Sequence, residues 1–262
     1  MGKKAVIVGA ESVGLSALLT LAMAGIKVAR ITTELPNHQF YFPYVAAKWA
    51  LADIWPRTQI STSARVTRID GGKRVEAVEI TLSSGKTEVI ECDTVIFTGN
   101  WIPQNELARS EGITLDAGTK GPRVDGSLRT STPGVFAAGN LLRGVETADW
   151  AALEGRFAAA RISDYLGRGG WPGDMLPIEV ADPIEWVSPN AVSVASVGAP
   201  LGHVLLRVKT EQHNAVVQVR QGERLLHSQR FGRLRPNTSS YLADEWMKQV
   251  EAEGAAVRIS LG

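Results

Sequence analysis

The pattern of hydrophobic and polar positions is clearest at the start of the chain. A short apolar run, Ala5 to Val8, leads directly into Gly9, and a mostly apolar segment follows as far as Gly25. A second short run, Lys27 to Ile31, comes next. Strand, turn, helix and strand in this order predict a βαβ unit of the Rossmann type, with Gly25 closing the helix.

A different pattern begins at Thr58 and continues to Phe97. Short β-type segments are separated by turn residues at Gly71-Gly72 and at Ser83-Ser84-Gly85, and the stretch ends in "CDTVIFTGN". This spacing predicts a β-meander that returns to a central buried strand.

The next region mixes loops with one long helical pattern. The stretch "GVFAAGN", Gly134 to Asn140, is predicted to form a buried strand, and a helix is predicted from about Asp149 to Leu166. Asp149 is a suitable N-cap residue. The apolar side of this helix is assigned to Ala152, Phe157, Ala160 and Tyr165.

The composition changes again after the glycine-rich stretch "GRGGWPG", residues 167–173. Alternating segments such as "HVLLRVKT" and "NAVVQVRQG" predict strands, followed by a late helix near Leu242 to Glu253 and a final strand, Ala256 to Leu261. The predicted organisation is an α/β Rossmann-like region over residues 1–168, a linker over 169–173 and a small β-rich domain over 174–262.

Composition excludes several classes of function. The 262 residues are 44% hydrophobic, which is enough to bury a real core, and the net charge of +1 gives no electrostatic argument for nucleic acid or an anionic membrane. The longest apolar stretch, Val13 to Ala29, lacks the length and flanks of a membrane span. A single cysteine, Cys92, excludes an internal disulfide and a C-x-x-C pair. We therefore expect a cytoplasmic chain without a membrane or nucleic-acid partner.

The turn of the predicted βαβ unit, "VGAESVG", departs from the dinucleotide pattern G-x-G-x-x-G at one position, Glu11. The first glycine suits a tight turn, the last lets the helix pack closely, and the helix N-terminus offers N–H groups to a pyrophosphate. The candidate cofactor-binding residues of this loop are Gly9, Ala10, Glu11, Ser12 and Gly14.

Glu11 adds bulk and negative charge where a pyrophosphate would approach the backbone. A like-charge pair at about 4 Å and an effective dielectric near ~20 costs on the order of 4 kcal/mol. Two interpretations follow: a fold whose nucleotide site has decayed, or altered but real binding. Glu34 lies near the position of a ribose-binding acid, although somewhat beyond the usual spacing of about 20 residues.

Three stretches of the chain carry a resemblance to a known family: "VIVGAESVGLSALLTLAMAGIKV", "CDTVIFTGNWIPQNELA" and "RTSTPGVFAAGNLLRGVETADWAALEGRFAA". In this order they resemble the FAD/NAD(P)-binding, pyridine nucleotide-disulfide oxidoreductase-like flavoproteins. Within that superfamily they look most like the branch with the FAD subunits of opine oxidases and hydrogen cyanide synthase. The resemblance covers roughly residues 4–168 and implies FAD and NAD(P) as cofactors.

The resemblance also implies further site residues. In the family, the strand corresponding to "GVFAAGN" ends in an acid that hydrogen-bonds the FAD ribityl chain, which places Gly139 and Asn140 near FAD. Thr98 and Gly99 match a family turn beside the flavin, and the helix from Asp149 would supply backbone donors. Asn140 departs from the family because it carries no charge.

A second departure concerns the order of the units. The family begins with an FAD-binding βαβ unit, whereas this chain is expected to begin at the NAD(P)-type unit, residues 1–97, followed by a second FAD-contact segment, 98–168. On this alignment the partner is an N-terminal FAD-binding segment or a sister oxidoreductase subunit, or the chain self-associates into a homo-oligomer. The alternative alignment takes the βαβ unit as the FAD unit itself.

Other candidate chemistry is sparse. The four histidines show no metal spacing, so no metal site is predicted, and Cys92 is interpreted as a small core residue. The aromatic stretch His38 to Trp49 is interpreted as a helix on the sheet edge, with a substrate or partner surface as the alternative. No catalytic residue is identified. The favoured function is a flavin-dependent oxidoreductase component; the alternatives are a non-catalytic assembly module and an NAD(P)-binding protein without flavin.

Overall fold

The computed structural model describes residues 2–40, 58–171, 173, 175–193 and 198–262. The chain divides into two compact units, Met1–Asn100 and Trp101–Gly262. The predicted helix over His38 to Trp49 lies outside the described residues except for its first three positions. In the described part of the chain, no helix is long and apolar enough to cross a membrane.

The first unit combines a parallel sheet with an antiparallel one. In chain order, its elements are β1 (Lys4–Val8), α1 (Ser12–Met23), β2 (Lys27–Thr32), β3 (Gln59–Ser61), β4 (Ala64–Gly71), β5 (Val75–Leu82), β6 (Thr87–Glu91) and β7 (Thr94–Phe97). The parallel sheet has the order β3-β2-β1-β7, and the antiparallel sheet has the order β4-β5-β6. The predicted βαβ unit and β-meander are therefore confirmed.

One part of that prediction is wrong. β7 was expected to be a central buried strand, but in the described sheet it lies at the edge, where it pairs only with β1. Phe97 at its end is 62% exposed. An apolar sequence alone does not distinguish an edge strand with one covered face from a central strand.

Helix α1 covers one face of the parallel sheet with evenly spaced leucines. Leu15, Leu18 and Leu21 are buried with Ile7 of β1 and Ile31 of β2. The three leucines recur every three residues, so they lie along one stripe of the helix. This packing places the N-terminus of α1 at the carboxyl end of β1.

Cys92 belongs to the core of the first unit, as predicted. It is buried with Val78, Ile80 and Ile90 of the meander. Burial raises the pKa of the Cys92 thiol, so the thiolate form is disfavoured. This environment suits a packing residue rather than a nucleophile.

The second unit contains a short helix, a long helix, a mixed five-stranded sheet and an antiparallel three-stranded sheet. Its elements are α2 (Glu106–Ser110), α3 (Ala148–Arg168), β8 (Leu176–Val180), β9 (Ile184–Ser188), β10 (Ala191–Val192), β11 (His203–Val208), β12 (Gln212–Gln221), β13 (Arg224–Leu234), β14 (Ser240–Ala243) and β15 (Val257–Leu261). The sheet orders are β10-β8-β15-β12-β13 and β14-β11-β9. The β-rich C-terminal part and its final strand are confirmed.

Two predicted elements of the second unit are wrong. "GVFAAGN" forms no strand: Phe136 makes an isolated bridge with Arg129, and positive φ angles at Gly134 and Gly139 turn the chain. The predicted late helix is replaced by β14 and a 3-10 helix, Glu245–Gln249. Pairing of β14 with β11 overrides the local helical pattern.

Helix α3 begins one residue earlier than predicted, and of the four residues assigned to its apolar side only Phe157 and Tyr165 lie on the side turned inward. Its N-cap is Thr147, whose side chain accepts a hydrogen bond from the Trp150 N–H, while Asp149 is exposed in the first turn. Ala152 and Ala160, assigned to the apolar side, are exposed. The side turned inward instead contains the buried or half-buried residues Ala151, Glu154, Phe157, Ala158, Arg161 and Tyr165.

Residues 169–173 follow α3 directly. Gly169 and Gly170 have positive φ angles, as a chain reversal after a helix requires. The predicted domain division at this stretch stays a prediction.

Two of the helical glycines, Gly14 and Gly155, give a matched test of packing. A Cβ on Gly14 would lie 2.5 Å from the carbonyl oxygen of Gly9, whereas a Cβ on Gly155 would meet nothing within 4 Å. We expect Gly14→Ala to destabilise the protein by about 1–3 kcal/mol through overpacking. Gly155→Ala should stabilise it by up to about 1 kcal/mol through helix propensity. Urea unfolding measures both, and equal midpoints for Gly14→Ala and the natural chain would contradict the close contact.

Candidate functional site

The turn between β1 and α1 is built around Gly9. Gly9 has a φ of 132°, and its N–H donates to the Thr32 carbonyl at 2.8 Å. The Thr98 N–H donates to the Val8 carbonyl at 3.0 Å, and a Cβ on Gly9 would lie 2.1 Å from Thr98 Oγ1. The tight turn and the close helix packing predicted for Gly9 and Gly14 are present.

The Glu11 side chain folds over this turn. Its carboxylate oxygens would lie 2.8 and 3.0 Å from a Cβ on Gly9, and Glu11 is only 4% exposed. Glu11 is the N-cap of α1, yet its side chain makes no capping hydrogen bond. Among the described residues, Glu11 Oε1 has no hydrogen-bond partner. A buried carboxylate oxygen without a donor is costly, so this contact is set by the local backbone and not by pairing.

This conformation does not fit a pyrophosphate. Ala10 is 1% exposed and its carbonyl accepts a hydrogen bond from the Gln39 N–H at 2.7 Å, so only Ser12 of the residues between the two glycines 9 and 14 is clearly exposed. A dinucleotide phosphate needs close approach to the loop backbone, where the Glu11 carboxylate lies instead. The residues of the fingerprint therefore form the expected turn, but the Glu11 side chain covers its backbone.

The other predicted residues of the first unit lie outside the turn or beside it. Glu34 is in the exposed stretch after β2, and its side chain is 3.8 Å from that of Arg65. Thr98 is buried against Gly9, while Gly99 is exposed with open space around it. The structure thus brings Thr98 to the loop and leaves Glu34 as a solvent-exposed carboxylate.

A second group of predicted residues lies in the second unit, at a turn formed by Gly139 and Asn140. Gly139 has a φ of 72°, and its N–H donates to Glu154 Oε2 at 2.6 Å. Asn140 is exposed, and its Oδ1 accepts a hydrogen bond from the Glu146 N–H at 3.0 Å. Because a backbone N–H requires an acceptor, the amide oxygen is used internally and the NH₂ group is left for a ligand.

A buried ion pair, Arg143 and Glu154, is hydrogen-bonded to this turn. Arg143 and Glu154 are 1% and 2% exposed, and Arg143 Nη2 donates to Glu154 Oε1 at 3.0 Å. Arg143 Nη1 also donates to Ser188 Oγ at 3.0 Å. Glu154 therefore accepts from a guanidinium and from a backbone N–H, which is the pairing that a buried carboxylate requires.

Sequence reasoning missed Arg143 and Glu154. The available signal was their position as charged residues within the mostly apolar stretch "NLLRGVETADWAALEG". Glu154 also falls on the inward side of α3, together with Ala151 and Ala158. A charged residue on the packing side of a helix requires a buried partner. The sequence pattern indicates that Glu154 needs such a partner but does not show which residue it is.

The N-terminus of α3 is the last predicted element of this group. Asp149 is its second residue and is exposed. An acidic residue in the first turn is stabilised by the positive end of the helix dipole, but it repels an anionic ligand at the same place. No group of histidine, cysteine and acidic side chains in the described ranges has the arrangement of a metal site.

Comparison with known proteins gives a family match over part of the chain. Residues 57–155 match the family model described as pyridine nucleotide-disulphide oxidoreductase. Over these residues the chain is similar to that family. The match includes the meander, the turn after β7, the Gly139–Asn140 turn and the first part of α3, so it covers both predicted flavin-contact segments.

Individual curated proteins are similar to longer or shorter parts of the chain. The glutamate synthase [NADPH] small chain of Mycobacterium tuberculosis is 27% identical over 208 residues, which cover 67% of this chain and 40% of that protein. A ferredoxin–NADP reductase of Salinispora arenicola is 37% identical over 87 residues, covering 32% of this chain and 25% of that protein. The chain therefore spans less than half the length of these curated relatives.

Solved structures give the same fold. Thioredoxin reductase of T. acidophilum superposes with a TM-score of 0.54 at 28% identity, covering 63% of this chain and 53% of that one. The ferredoxin reductase for the CYP199A2 system of Rhodopseudomonas palustris has a TM-score of 0.50 at 22% identity and covers 83% of this chain and 50% of that one, which shows the fold alone. The expected Rossmann-like α/β fold is confirmed.

The closed loop at Glu11 predicts how this chain responds to NADPH. We expect no saturable NADPH binding by the natural chain, and measurable binding by Glu11→Gly. Relief of one like-charge contact is worth about 4 kcal/mol at an effective dielectric of about 20, or roughly a thousandfold in affinity. Isothermal titration calorimetry measures this change.

Two further variants separate charge from bulk. Glu11→Gln keeps the size and removes the charge, so it should recover only part of the binding, and Glu34→Gln, at an exposed carboxylate, should recover none. Tight NADPH binding by the natural chain that is lost in Glu11→Gly would show that the carboxylate is a ligand contact and not a barrier.

Proposed function

We propose that this chain is a component of an FAD-dependent oxidoreductase whose NAD(P)-type loop is closed by Glu11. The observation that carries the flavin part is the Gly139–Asn140 turn, which faces solvent on one side and is hydrogen-bonded to buried Glu154 on the other. FAD would supply the redox chemistry, and the protein would bind and orient it. The substrate is not specified by any residue in the described part of the chain.

The polarity of the turn suits one kind of flavin contact. With its oxygen bonded to the Glu146 N–H, Asn140 offers N–H donors to a ligand. Such a group can donate to a ribityl hydroxyl oxygen or to a phosphate oxygen. The corresponding acid of the family offers only acceptors when it is ionised, so Asn140 reverses the polarity of the contact and removes one negative charge beside FAD.

Closure of the first loop bears on the source of electrons. The relatives named above include an NADPH-dependent and an NADP-dependent enzyme by name. In this chain the carboxylate of Glu11 lies over Gly9, at 4% exposure, where their cofactor's pyrophosphate would be expected. We therefore propose that NAD(P)H is not the reductant used at this loop, and that electrons reach the flavin from another donor.

The exposed side of α3 supports a partner that completes the flavin site. Five exposed residues recur at alternating intervals of three and four along one stripe of the helix: Ala152, Gly155, Ala159, Ile162 and Leu166. Ile162 is 38% and Leu166 is 77% exposed. This is the spacing of a helix that packs against two neighbours, and the small residues permit close approach.

We assign this surface, defined as the α3 outer stripe, to a flavin-binding polypeptide segment. The Gly139–Asn140 turn and the N-terminus of α3 form one edge of a cofactor site, and a partner along α3 would supply the opposite edge. One relative is by its name a small chain, which is consistent with a sister subunit. An exposed apolar helix side next to a partial site is best explained by such a partner.

A second candidate function is supported by the same Glu11 contact. A buried carboxylate at the fingerprint turn is expected of a Rossmann-like assembly module that no longer binds a nucleotide. In that case the α3 outer stripe would still bind a partner, but no flavin would lie beside Asn140. The presence or absence of flavin in the assembled complex distinguishes the two functions.

The partner proposal predicts a colour change on assembly. The purified chain should be colourless, and co-purification with a flavin-binding polypeptide from the same genome should give visible flavin absorbance. The double variant Ile162→Glu, Leu166→Glu should lose the partner, because it places charges on an apolar contact. Ser163→Glu, an exposed neighbour on the same helix, should assemble normally.

The outcomes separate the candidate functions. Stoichiometric flavin on the isolated chain would show that no partner is needed to hold it. Assembly through the α3 outer stripe without any flavin would favour the assembly module. Loss of assembly in Ser163→Glu as well would indicate a general effect of charge on α3 and would contradict a defined stripe.

A further inference from the structure

Arg207 lies in an unusual environment near the C-terminal end of β11. It is 4% exposed, and its guanidinium lies 4.6 Å from the ring centroid of Trp186 and 5.5 Å from that of Trp101. The guanidinium thus lies over two aromatic rings, which is a favourable arrangement when the charge is desolvated. Burial lowers the pKa of Arg207, and the carboxylates of Glu146 and Glu185 oppose that shift.

Most contacts of the Arg207 guanidinium nitrogens are with one loop, residues 141–147. Nη1 donates to the Gly144 carbonyl at 2.8 Å, and Nη2 lies 3.5 Å from the Val145 carbonyl. Nη2 also lies 3.6 Å from Glu146 Oε1. Three successive loop residues are therefore held by one side chain of the β-rich strands.

The same loop is held through two further contacts. Ser239 Oγ donates to Glu146 Oε1 and accepts from Arg207 Nη2 at 3.3 Å. A Cβ on Gly144 would lie 2.4 Å from Trp101 Cβ, so Trp101 packs directly on the loop backbone. Trp101 comes immediately after the turn that contains Thr98 and Gly99 in the sequence.

Fixing Glu146 has a direct consequence for the predicted flavin contact. The Glu146 N–H donates to Asn140 Oδ1, so the position of Glu146 determines which end of the Asn140 amide faces outward. Released from this bond, the exposed amide could rotate and present oxygen or nitrogen equally. The orientation of Asn140 is therefore set by the loop that Arg207 holds.

We propose that Arg207 is a positioning residue for Asn140, so that the β-rich strands of the second unit determine the polarity of the flavin contact. This inference rests on the proposed function for the flavin, but the geometric step from Arg207 to Asn140 does not. Arg207→Met removes one partner of the buried Glu146 carboxylate, which costs stability. Ser239 Oγ and Arg143 Nε remain beside that carboxylate, so we expect the variant to fold with a weaker hold on residues 144–146.

The first test is backbone amide hydrogen exchange on the full chain. In Arg207→Met, exchange in residues 140–147 should accelerate by about tenfold or more, the effect of losing hydrogen bonds of ordinary net strength. Protection of β8 to β15 should be retained. Arg224→Met, which removes an exposed ion pair with Glu251 in the same unit, is the matched control and should exchange like the natural chain.

The second test separates positioning from general stabilisation. In the assembled flavoprotein, Arg207→Met should weaken FAD binding by about tenfold, again the effect of one or two lost hydrogen bonds. If Arg207 acts through Asn140, the same substitution should have no further effect in an Asn140→Ala background. Arg207→Lys keeps the charge but not the planar fork, so it should restore binding only in part.

The outcomes are distinct for the two levels of the proposal. Unchanged exchange at residues 140–147 in folded Arg207→Met, or equal loss of FAD affinity with and without Asn140, would overturn the positioning role. If the natural chain binds no FAD in any assembly, the proposed function fails, while the exchange measurement still decides the role of Arg207. If Arg207→Met does not fold, Arg207→Lys carries both measurements.

Discussion

The second unit depends on the buried carboxylate of Glu154. It accepts hydrogen bonds from the Gly139 N–H and from Arg143. Glu154 and Arg143 are buried, and Gly139 is half-buried. Removing one partner of a buried pair typically costs about 3–5 kcal/mol, because the remaining charge is left without compensation. The pairing therefore joins α3, the Gly139–Asn140 turn and, through the Arg143 contact with Ser188, the β-rich strands into one unit.

Glu11 shows what the same side chain does without such partners. It is as deeply buried as Glu154, but Oε1 has no hydrogen-bond donor in the described ranges, and the side chain lies against Gly9. A paired carboxylate rigidifies a turn and leaves it able to receive a ligand, whereas an unpaired one fills the space that a ligand phosphate would use. The contrast between the two carboxylates is the physical basis for proposing one cofactor contact that is built and one that is closed.

The sequence predicted those elements whose packing is local. The βαβ unit follows from short-range periodicity and from Gly9 and Gly14, and the meander follows from its turns. The late helix and the buried ion pair were missed because contacts made by the folded chain decided the outcome. β14 is a strand because it pairs with β11, and the Arg143–Glu154 pair joins residues eleven positions apart across a turn that no periodicity describes. The N-cap is Thr147, two residues before Asp149, because the Thr147 side chain accepts the hydrogen bond from the Trp150 N–H.

The fingerprint glycines do not by themselves report nucleotide binding. A glycine is required at position 9 because its φ is 132° and because a Cβ there would collide with Thr98 Oγ1. A glycine is required at position 14 because a Cβ there would collide with the carbonyl oxygen of Gly9. Both constraints come from the fold and would persist after a nucleotide site was lost. The middle position differs, because the fold places no comparable demand on it and only a bound phosphate requires a glycine there. Residue 11 is therefore the position at which structure and function separate, and a glutamate there is compatible with an intact fold and a changed use of the site.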